Sequence, residues 1–173
     1  MKSRRGISIL LMIWPYLTAG TIFGLLPIDN HPKVLFMVLL ALMTLVIYIL
    51  NIINACTHKI EDLEQSAFWN MLVKLVHIPF YMVMFVIGLG VLATSWLPGL
   101  IFFTPFIVMM FVVVDYCLTV TSSSYGINVL IRARKEGALS TKFMALHLVM
   151  HLCFVLDVIS AISVFVKIRK VKG

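Results

Sequence analysis

Residues 71–94 read MLVKLVHIPFYMVMFVIGLGVLAT. A helix of about 20 apolar residues crosses the roughly 30 Å hydrocarbon core of a bilayer, and this stretch reaches that length. Lys74 is its one residue of the Asp, Glu, Lys and Arg class, and residues 83–94 hold no ionisable side chain. The stretch therefore predicts a transmembrane helix.

The same pattern recurs on both sides of this stretch. The chain has 173 residues, of which 62% are hydrophobic and 12% are charged, whereas a soluble domain is about one-quarter charged. Further apolar runs of sufficient length cover residues 7–26, 34–54, 100–121 and 143–166. The sequence therefore predicts a single all-α transmembrane domain over residues 1–173, a bundle of about five transmembrane helices, and excludes a soluble enzyme.

The lysines and arginines between these runs predict the orientation. With the N-terminus in the cytoplasm, the inner segments hold eight of them and the outer segments hold five, and cytoplasmic loops are enriched in these residues. The bias predicts a cytoplasmic N-terminus. The basic residues of the tail, 167–172, then fall on the opposite side if residues 143–166 cross the membrane. The alternatives are a last segment that enters and returns, or a chain that inserts in both orientations.

Polar side chains recur at helical spacing on four of the predicted helices, which places each set on one face. The four sets are Tyr48, Asn51, Ala55 and His58; Asn70, Lys74, His77 and Tyr81; Asp115, Thr119, Ser122 and Gly126, with Tyr116 and Tyr125 beside them; and His147 with His151. With the N-terminus inside, nearly all of them map to the cytoplasmic half of the bundle. Ionisable residues within a span usually face the bundle interior or water. The sets therefore predict a polar pocket that opens to the cytoplasm. The candidate ligand-binding residues are Asn51, Asn70, Lys74, His77, Tyr81, Asp115, Thr119, Ser122, Tyr125, His147 and His151.

Lys74 and Asp115 are the most informative of these candidates. Opposite charges within one leaflet are expected to pair, because an isolated charge there costs several kcal/mol. The pair has two interpretations: a substrate or proton site, or a structural ion pair that orders the bundle, with Lys74 reaching towards the headgroups.

The histidines raise the question of a bound metal. His147 and His151 are one helical turn apart, and His77 or His58 would supply a third ligand. Hydrogen-bonded histidines of the bundle and a proton relay are the other interpretations. The three cysteines are isolated and show no metal-type spacing. The sequence assigns no cofactor and no catalytic residue.

The run TSSSYG at residues 121–126 also has two interpretations. Its hydroxyl groups would line a hydrophilic cavity. Alternatively, its small residues would let two helices approach closely, with the hydroxyls bonded back to the preceding turn.

Two stretches carry a family resemblance. Residues 70–79, NMLVKLVHIP, and residues 125–137, YGINVLIRARKEG, resemble segments of small uncharacterised multi-spanning membrane proteins of Gram-positive bacteria. The resemblance covers about the last two thirds of the chain and implies a bacterial plasma membrane. It carries no named activity, so it assigns no functional residues.

Three classes of function fit these patterns. The buried polar content favours a small transporter or transport subunit that binds a polar or amphipathic solute. A membrane-embedded enzyme acting on a lipid would use His147, His151 and Asp115, although no catalytic motif accompanies them. An accessory, regulatory or immunity subunit of a larger membrane complex fits the small size and the absence of an internal repeat. The expected partners are the lipid bilayer, a small-molecule ligand, and a second copy or another membrane protein. Nucleic acid is not among them, because the basic clusters are short and lack interleaved aromatic residues.

Overall fold

The protein is entirely helical over the residues that the structure, a computed structural model, describes: 2–22, 24, 33–57, 62–97 and 99–172. Six α-helices follow one another in this part of the chain. They are α1 (Lys2–Ile22), α2 (Lys33–Thr57), α3 (Leu63–Ala93), α4 (Thr104–Lys135), α5 (Thr141–Met150) and α6 (Phe154–Lys172). A short 3-10 turn, Thr94–Trp96, follows α3.

Three of these helices are long and apolar enough to cross a membrane. They cover Leu35–Thr57, Leu63–Trp96 and Thr104–Lys135, while the apolar part of α1, Gly6–Thr21, and helix α5 are shorter. Large apolar side chains such as Phe85 and Phe106 are 67% and 75% exposed on the outside of the bundle, as expected of surfaces that contact lipid. The three helices indicate a multi-pass membrane protein.

The long helices extend beyond the predicted spans. Helix α3 begins at Leu63, eight residues before the predicted start, because the Asp62 side chain caps its first turn by accepting a hydrogen bond from the Glu64 N–H at 3.0 Å. Helix α4 continues past Thr121 to Lys135. The segments between the predicted runs, residues 55–70 and 122–142, are therefore helical over most of their length. The polar residues there belong to helical faces.

The predicted fifth helix, residues 143–166, is also not a single helix. It is divided between α5 and α6 by a turn at residues 151–153, and α6 runs back alongside α5. The Lys167 ammonium lies 3.9 Å from the centre of the Phe143 ring, and the Ser160 hydroxyl lies 2.8 Å from His147 Nδ1. Residues 141–172 are called the hairpin below, and residues 151–153 its tip.

The open end of the hairpin lies where α3 begins and α4 ends. Phe165 of α6 packs on Phe68 of α3, with ring centroids 5.8 Å apart, and Arg169 Nε lies 3.8 Å from Glu64 Oε1. A buried apolar cluster joins the same elements; it consists of Leu63, Ala67, Val129, Leu130, Ala133, Leu139, Val164 and Ile168. This end of the bundle carries the exposed side chains of Arg132, Arg134, Lys135, Lys142, Arg169 and Lys170, and is called the basic end.

A tight turn connects α4 to the hairpin. Gly137 adopts a φ of 77°, in the left-handed region that favours glycine. The Ala138 N–H then donates to the Ala133 carbonyl at 2.9 Å, which closes the end of α4. Three residues after Gly137, the Ser140 side chain accepts a hydrogen bond from the Phe143 N–H at 3.3 Å and caps the start of α5. The chain thus reverses direction within a few residues, and α5 runs back along the bundle towards Lys74.

Candidate functional site

Lys74 is the centre of a buried polar cluster. Its side chain is 1% exposed, and its ammonium group forms an ion pair with Asp157 of the hairpin. The same nitrogen donates to the hydroxyls of Ser122 and Ser123 of α4, at 2.8 and 2.7 Å. An ammonium group has three protons to donate, so every donor of Lys74 has an acceptor. A fully bonded charge is the arrangement that burial among apolar helices requires.

The Asp157 carboxylate also binds the tip of the hairpin. One of its oxygens, Oδ2, pairs with Lys74, and the other, Oδ1, is bonded to His151 Nδ1. The Ser123 hydroxyl lies 3.2 Å from Oδ1 and 3.0 Å from the His151 carbonyl oxygen. His151 and Asp157 are 0% and 2% exposed. The hairpin is therefore tied to α3 and α4 through groups at its tip, and the hairpin supplies the negative charge of the cluster.

Gly126 of α4 makes room for the tip. A Cβ atom at this position would lie 2.6 Å from His151 Nε2, 2.7 Å from His151 Cε1 and 3.1 Å from Asn70 Nδ2. The first two distances are shorter than real Cβ atoms tolerate, and the His151 ring is bonded to Asp157 on its far side. This finding supports the close-packing interpretation of the run at residues 121–126.

Asn70 lies in the same place and has unused hydrogen-bonding capacity. It is 2% exposed, one turn before Lys74 on α3. Neither its Nδ2 nor its Oδ1 atom has a hydrogen-bond partner in the described part of the chain. A buried amide without partners costs about 1–3 kcal/mol. Asn70 is therefore the residue of the cluster with both a donor and an acceptor to offer to a ligand.

The two histidines of the hairpin share one hydroxyl group. Ser160 Oγ lies 2.8 Å from His147 Nδ1 and 3.4 Å from His151 Nε2. Within the described ranges, no group of three or more His, Cys, Asp or Glu side chains is arranged to hold a metal ion. His58, which was considered as a third ligand, lies outside the described residues.

The predicted partnership between Lys74 and Asp115 was wrong. Lys74 pairs with Asp157, which lies 83 residues further along the chain. Asp115 lies two helical turns from Ser122 on α4, and it forms no ion pair with any residue that the structure describes. The reversal of the chain at the hairpin tip brings Asp157 to Lys74, and a straight fifth helix would have carried it away.

A second hydrogen-bonded group joins α2 to α4. The Tyr125 hydroxyl donates to Asn51 Oδ1 at 3.1 Å and accepts from Asn54 Nδ2 at 2.8 Å. Asn51 also donates to the Ile47 carbonyl at 2.8 Å. Asn51 and Tyr125 were predicted ligand-binding residues, and each has a protein partner here. Asn54 was not singled out, although it lies one turn after Asn51 on the same side of α2.

His77 completes the backbone of α1. Pro15 has no N–H, so the carbonyl of Leu11, four residues earlier, loses its partner within the helix. His77 Nε2 lies 3.1 Å from that carbonyl oxygen, and the carbonyl requires this nitrogen to carry the proton. In lipid every backbone polar group needs a partner. His77 thus has a structural role that its position on the polar face of α3 did not reveal.

The predicted site residues divide into separate groups in the structure. The polar face of α3 is confirmed, because its four predicted members, Asn70, Lys74, His77 and Tyr81, are all buried. Lys74, Ser122 and His151 meet at the cluster, with Asn70 beside them and His147 linked to it through Ser160. Tyr81 lies 3.2 Å from Thr119 Oγ1 and belongs to the bundle between the cluster and Asp115. Ligand binding by these residues stays a prediction.

Three members of the cluster were not among the candidate ligand-binding residues: Asp157, Ser123 and Ser160. Asp157 is six residues from His151, a separation that puts two side chains on different faces of one helix. The signal was present only in the charge balance, since a buried lysine requires an acidic partner and Asp157 is the acidic residue of the last apolar run.

A family model matches the chain over residues 5–170, nearly its whole length, and the family is described as a family of unknown function, DUF6652. The chain belongs to the DUF6652 family. No curated protein and no solved structure matches it. The buried cluster of this DUF6652 chain is therefore interpreted from its own geometry.

Proposed function

We propose that the protein is a small membrane carrier, or a subunit of one, that binds a polar or amphipathic solute at the Lys74–Asp157 cluster. The observation that carries the proposal is a fully buried ion pair between the bundle and the hairpin. Replacing such a pair by apolar side chains is often neutral or stabilising, so stability alone does not account for it. An ionisable residue at membrane depth is a functional-site candidate by default.

The cluster is built from two parts of the chain. Helices α3 and α4 supply the ammonium group of Lys74 and the hydroxyls of Ser122 and Ser123, and the hairpin supplies the Asp157 carboxylate and His151. A displacement of the hairpin from α3 and α4 would separate the two charges and expose both. A solute with polar or charged groups would then replace the bonds that the two parts make with each other.

Asn70 supports the same proposal. Its buried amide, next to His151 and one turn from Lys74, has a donor and an acceptor without partners in the part of the chain that the structure describes. A polar solute bound between α3 and the hairpin tip would satisfy both atoms. The solute would gain this hydrogen bonding only in the bundle, because the apolar surface of the outer helices offers nothing comparable.

The proposed orientation places the basic end in the cytoplasm of a bacterial cell, with α1, α2, α3 and α4 crossing the plasma membrane and the hairpin entering from the basic end and returning to it. The hairpin supports this orientation, because its return places the basic tail, residues 167–172, on the cytoplasmic side. The inner segments hold twelve of the 14 lysines and arginines, and the outer side holds Lys33. The positive-inside pattern is then nearly complete.

Fusion reporters at the C-terminus test this orientation. Green fluorescent protein fused after Gly173 is expected to fluoresce and alkaline phosphatase fused there to be inactive, as for fusions placed after Gly137. Opposite results at the two positions would mean that residues 143–166 cross the membrane as one span, which contradicts the re-entrant hairpin.

Native mass spectrometry of the protein extracted with its own lipids, after exposure to a cell extract, tests the carrier. A defined added mass is expected on the wild type and on Tyr116→Phe, a change at an exposed position. The same mass is expected to be lost from Asn70→Leu and from the double variant Lys74→Met/Asp157→Leu, which removes both charges together. A mass that all four proteins retain, or that none carries, would contradict the proposal. A chain recovered only with a larger membrane protein would favour the accessory subunit.

A membrane-embedded hydrolase is a second candidate, favoured by one observation. Asp157, His151 and Ser160 follow one another by hydrogen-bonding distance, in the order of carboxylate, imidazole and hydroxyl that activates a serine nucleophile. A fluorophosphonate probe distinguishes the candidates. Covalent labelling that is lost in Ser160→Ala would favour an enzyme acting on a lipid ester, and an unlabelled wild type favours the carrier.

A further inference from the structure

Asp115 is an isolated carboxyl group at membrane depth. It lies on α4, 17 residues before Arg132, which corresponds to about 26 Å along the helix axis. Its side chain is partly buried, and its Oδ1 atom is buried without a hydrogen-bond partner within the described ranges. Among the residues that the structure describes, no cation pairs with it, since Lys74 is bonded to Asp157, Ser122 and Ser123.

The groups around Asp115 do not compensate a negative charge. In the described part of the chain, the titratable side chains that interact with Asp115 include the phenols of Tyr48 on α2 and Tyr81 on α3, and the Cys117 thiol lies near Tyr48. None of these groups carries a positive charge. An unpaired carboxylate in apolar surroundings is costly, and the protonated carboxylic acid avoids that cost. Burial therefore favours the neutral acid of Asp115 relative to the carboxylate.

Between Asp115 and the Lys74 cluster, the hydroxyl side chains of α4 bond to backbone carbonyls of the same helix. The Thr119 hydroxyl donates to the Asp115 carbonyl at 2.9 Å, and the Ser122 and Ser123 hydroxyls each lie within hydrogen-bonding distance of the Thr119 carbonyl, at 3.0 and 2.7 Å. Both serines accept from Lys74. Ser123 is eight residues from Asp115, about 12 Å along the axis. The Asp115 carboxyl itself makes none of these bonds, so a change of its charge would act on the cluster through space, across this distance.

We propose that Asp115 binds and releases a proton within the membrane, and that this proton is the coupling ion of the carrier. The coupling rests on the proposed function, whereas the proton-binding carboxyl stands on the isolation of Asp115 alone. Asp157 cannot fill this role in the structure described, because its charge is neutralised by Lys74 and His151 binds its second oxygen.

Dicyclohexylcarbodiimide tests the protonated carboxyl directly. This apolar reagent reacts with carboxylic acids in apolar surroundings: the acid proton passes to one nitrogen, the carboxyl oxygen bonds to the central carbon, and an oxygen-to-nitrogen shift of the acyl group gives a stable N-acylurea. No atom is lost and nothing is oxidised or reduced. The protein therefore gains the mass of one reagent molecule per labelled carboxyl.

The full-length chain in lipid nanodiscs is expected to gain one such adduct, which fragmentation maps to Asp115. The adduct is expected to be lost in Asp115→Asn, to remain in the matched variant Glu136→Gln at the basic end, and to decrease as the pH is raised. A wild type that is unlabelled at Asp115 would overturn the proposal. Labelling of Asp115 by a water-soluble carbodiimide instead would also overturn it, since the carboxyl would then face water.

The two proposals fail in different ways. Asp115 labelling without any bound solute would retain the proton site and remove the carrier. The other outcome is a bound solute that changes neither the extent of Asp115 labelling nor its pH dependence. That result would retain the carrier and remove the coupling. If both hold, saturating solute is expected to shift the pH at which labelling of Asp115 is half-maximal.

Discussion

Lys74 and Asp115 both lie within long apolar helices, on adjacent helices of the bundle, and are held in opposite ways. Lys74 has three partners, one of them a carboxylate delivered from 83 residues away. One carboxyl oxygen of Asp115 has no hydrogen-bond partner among the described residues. The difference teaches that the cost of a charge in the membrane is met by two routes. Lys74 is stabilised by a second segment of the chain, and in our proposal Asp115 avoids the cost by binding a proton.

The largest expected effect comes from breaking the Lys74 arrangement. Asp157→Asn leaves Lys74 charged and unpaired, so we expect the free energy of unfolding to fall by about 3–5 kcal/mol. The measurement is denaturant-induced unfolding in detergent micelles. The matched change at the other residue, Asp115→Asn, is expected to cost less than about 1 kcal/mol, because a neutral acid and an amide are similar in size and polarity.

A double variant sharpens this comparison. Lys74→Met/Asp157→Leu removes both charges, and we expect it to lose less stability than Asp157→Asn alone. Equal losses of stability in the two proteins would mean that Lys74 and Asp157 do not stabilise the bundle as an ion pair. Lys74→Met/Asp115→Asn, in contrast, is expected to be no more stable than Lys74→Met.

A smaller effect is expected from the packing that holds His151 next to Asp157. Gly126→Ala places a methyl group 2.6 Å from His151 Nε2, and we expect a loss of about 1–3 kcal/mol, the usual range for overpacking. Gly88→Ala on α3 is the control, because nothing lies within 4 Å of that position. The free energy of unfolding of Gly88→Ala is expected to rise by up to about 1 kcal/mol, since alanine favours a helix more than glycine does. Equal changes in the two variants would show that the hairpin tip is not tightly seated.

The smallest effect concerns polar groups without charge. Tyr125→Phe removes the hydroxyl that joins Asn51 and Asn54, and interhelical hydrogen bonds in membranes contribute about 0.6–2 kcal/mol. Tyr116→Phe, at a side chain that is 50% exposed, is expected to leave the free energy of unfolding unchanged. If Tyr125→Phe lowered the free energy of unfolding as much as Asp157→Asn does, the contact between α2 and α4 would stabilise the bundle as much as the charged cluster.

The sequence was sufficient for the three long helices and for the polar face of α3. Both follow from periodicity within one helix: an apolar run sets the length, and the spacing of Asn70, Lys74, His77 and Tyr81 sets the face. The starts and ends of α3 and α4 were less well predicted, because polar residues near a helix end resemble loop residues in composition.

The hairpin could not be predicted from local signals. Residues 150–154 read MHLCF and contain neither glycine nor proline, so nothing in them interrupts a helix. The turn is explained by contacts with other elements, chiefly the pairing of Asp157 with Lys74. The sequence suggested an acidic partner for Lys74, and without the fold Asp115 and Asp157 were equivalent choices. The role of His77 was hidden for the same reason, since its partner is a carbonyl of α1.

The hairpin also has a consequence for the biogenesis of the protein. Residues 143–166 form an apolar segment long enough for the insertion machinery to pass across the bilayer, yet Asp157 would then cross alone, at a cost of about 2.5–3.5 kcal/mol. Lys74 removes that cost only after α3 and α4 are in place. Synthesis from the N-terminus delivers these helices first, so the last segment of the nascent chain emerges opposite a lysine that has no counter-ion. We therefore expect docking of the hairpin to be the final step of assembly, and quality-control proteases to recognise chains in which Lys74 is still unpaired.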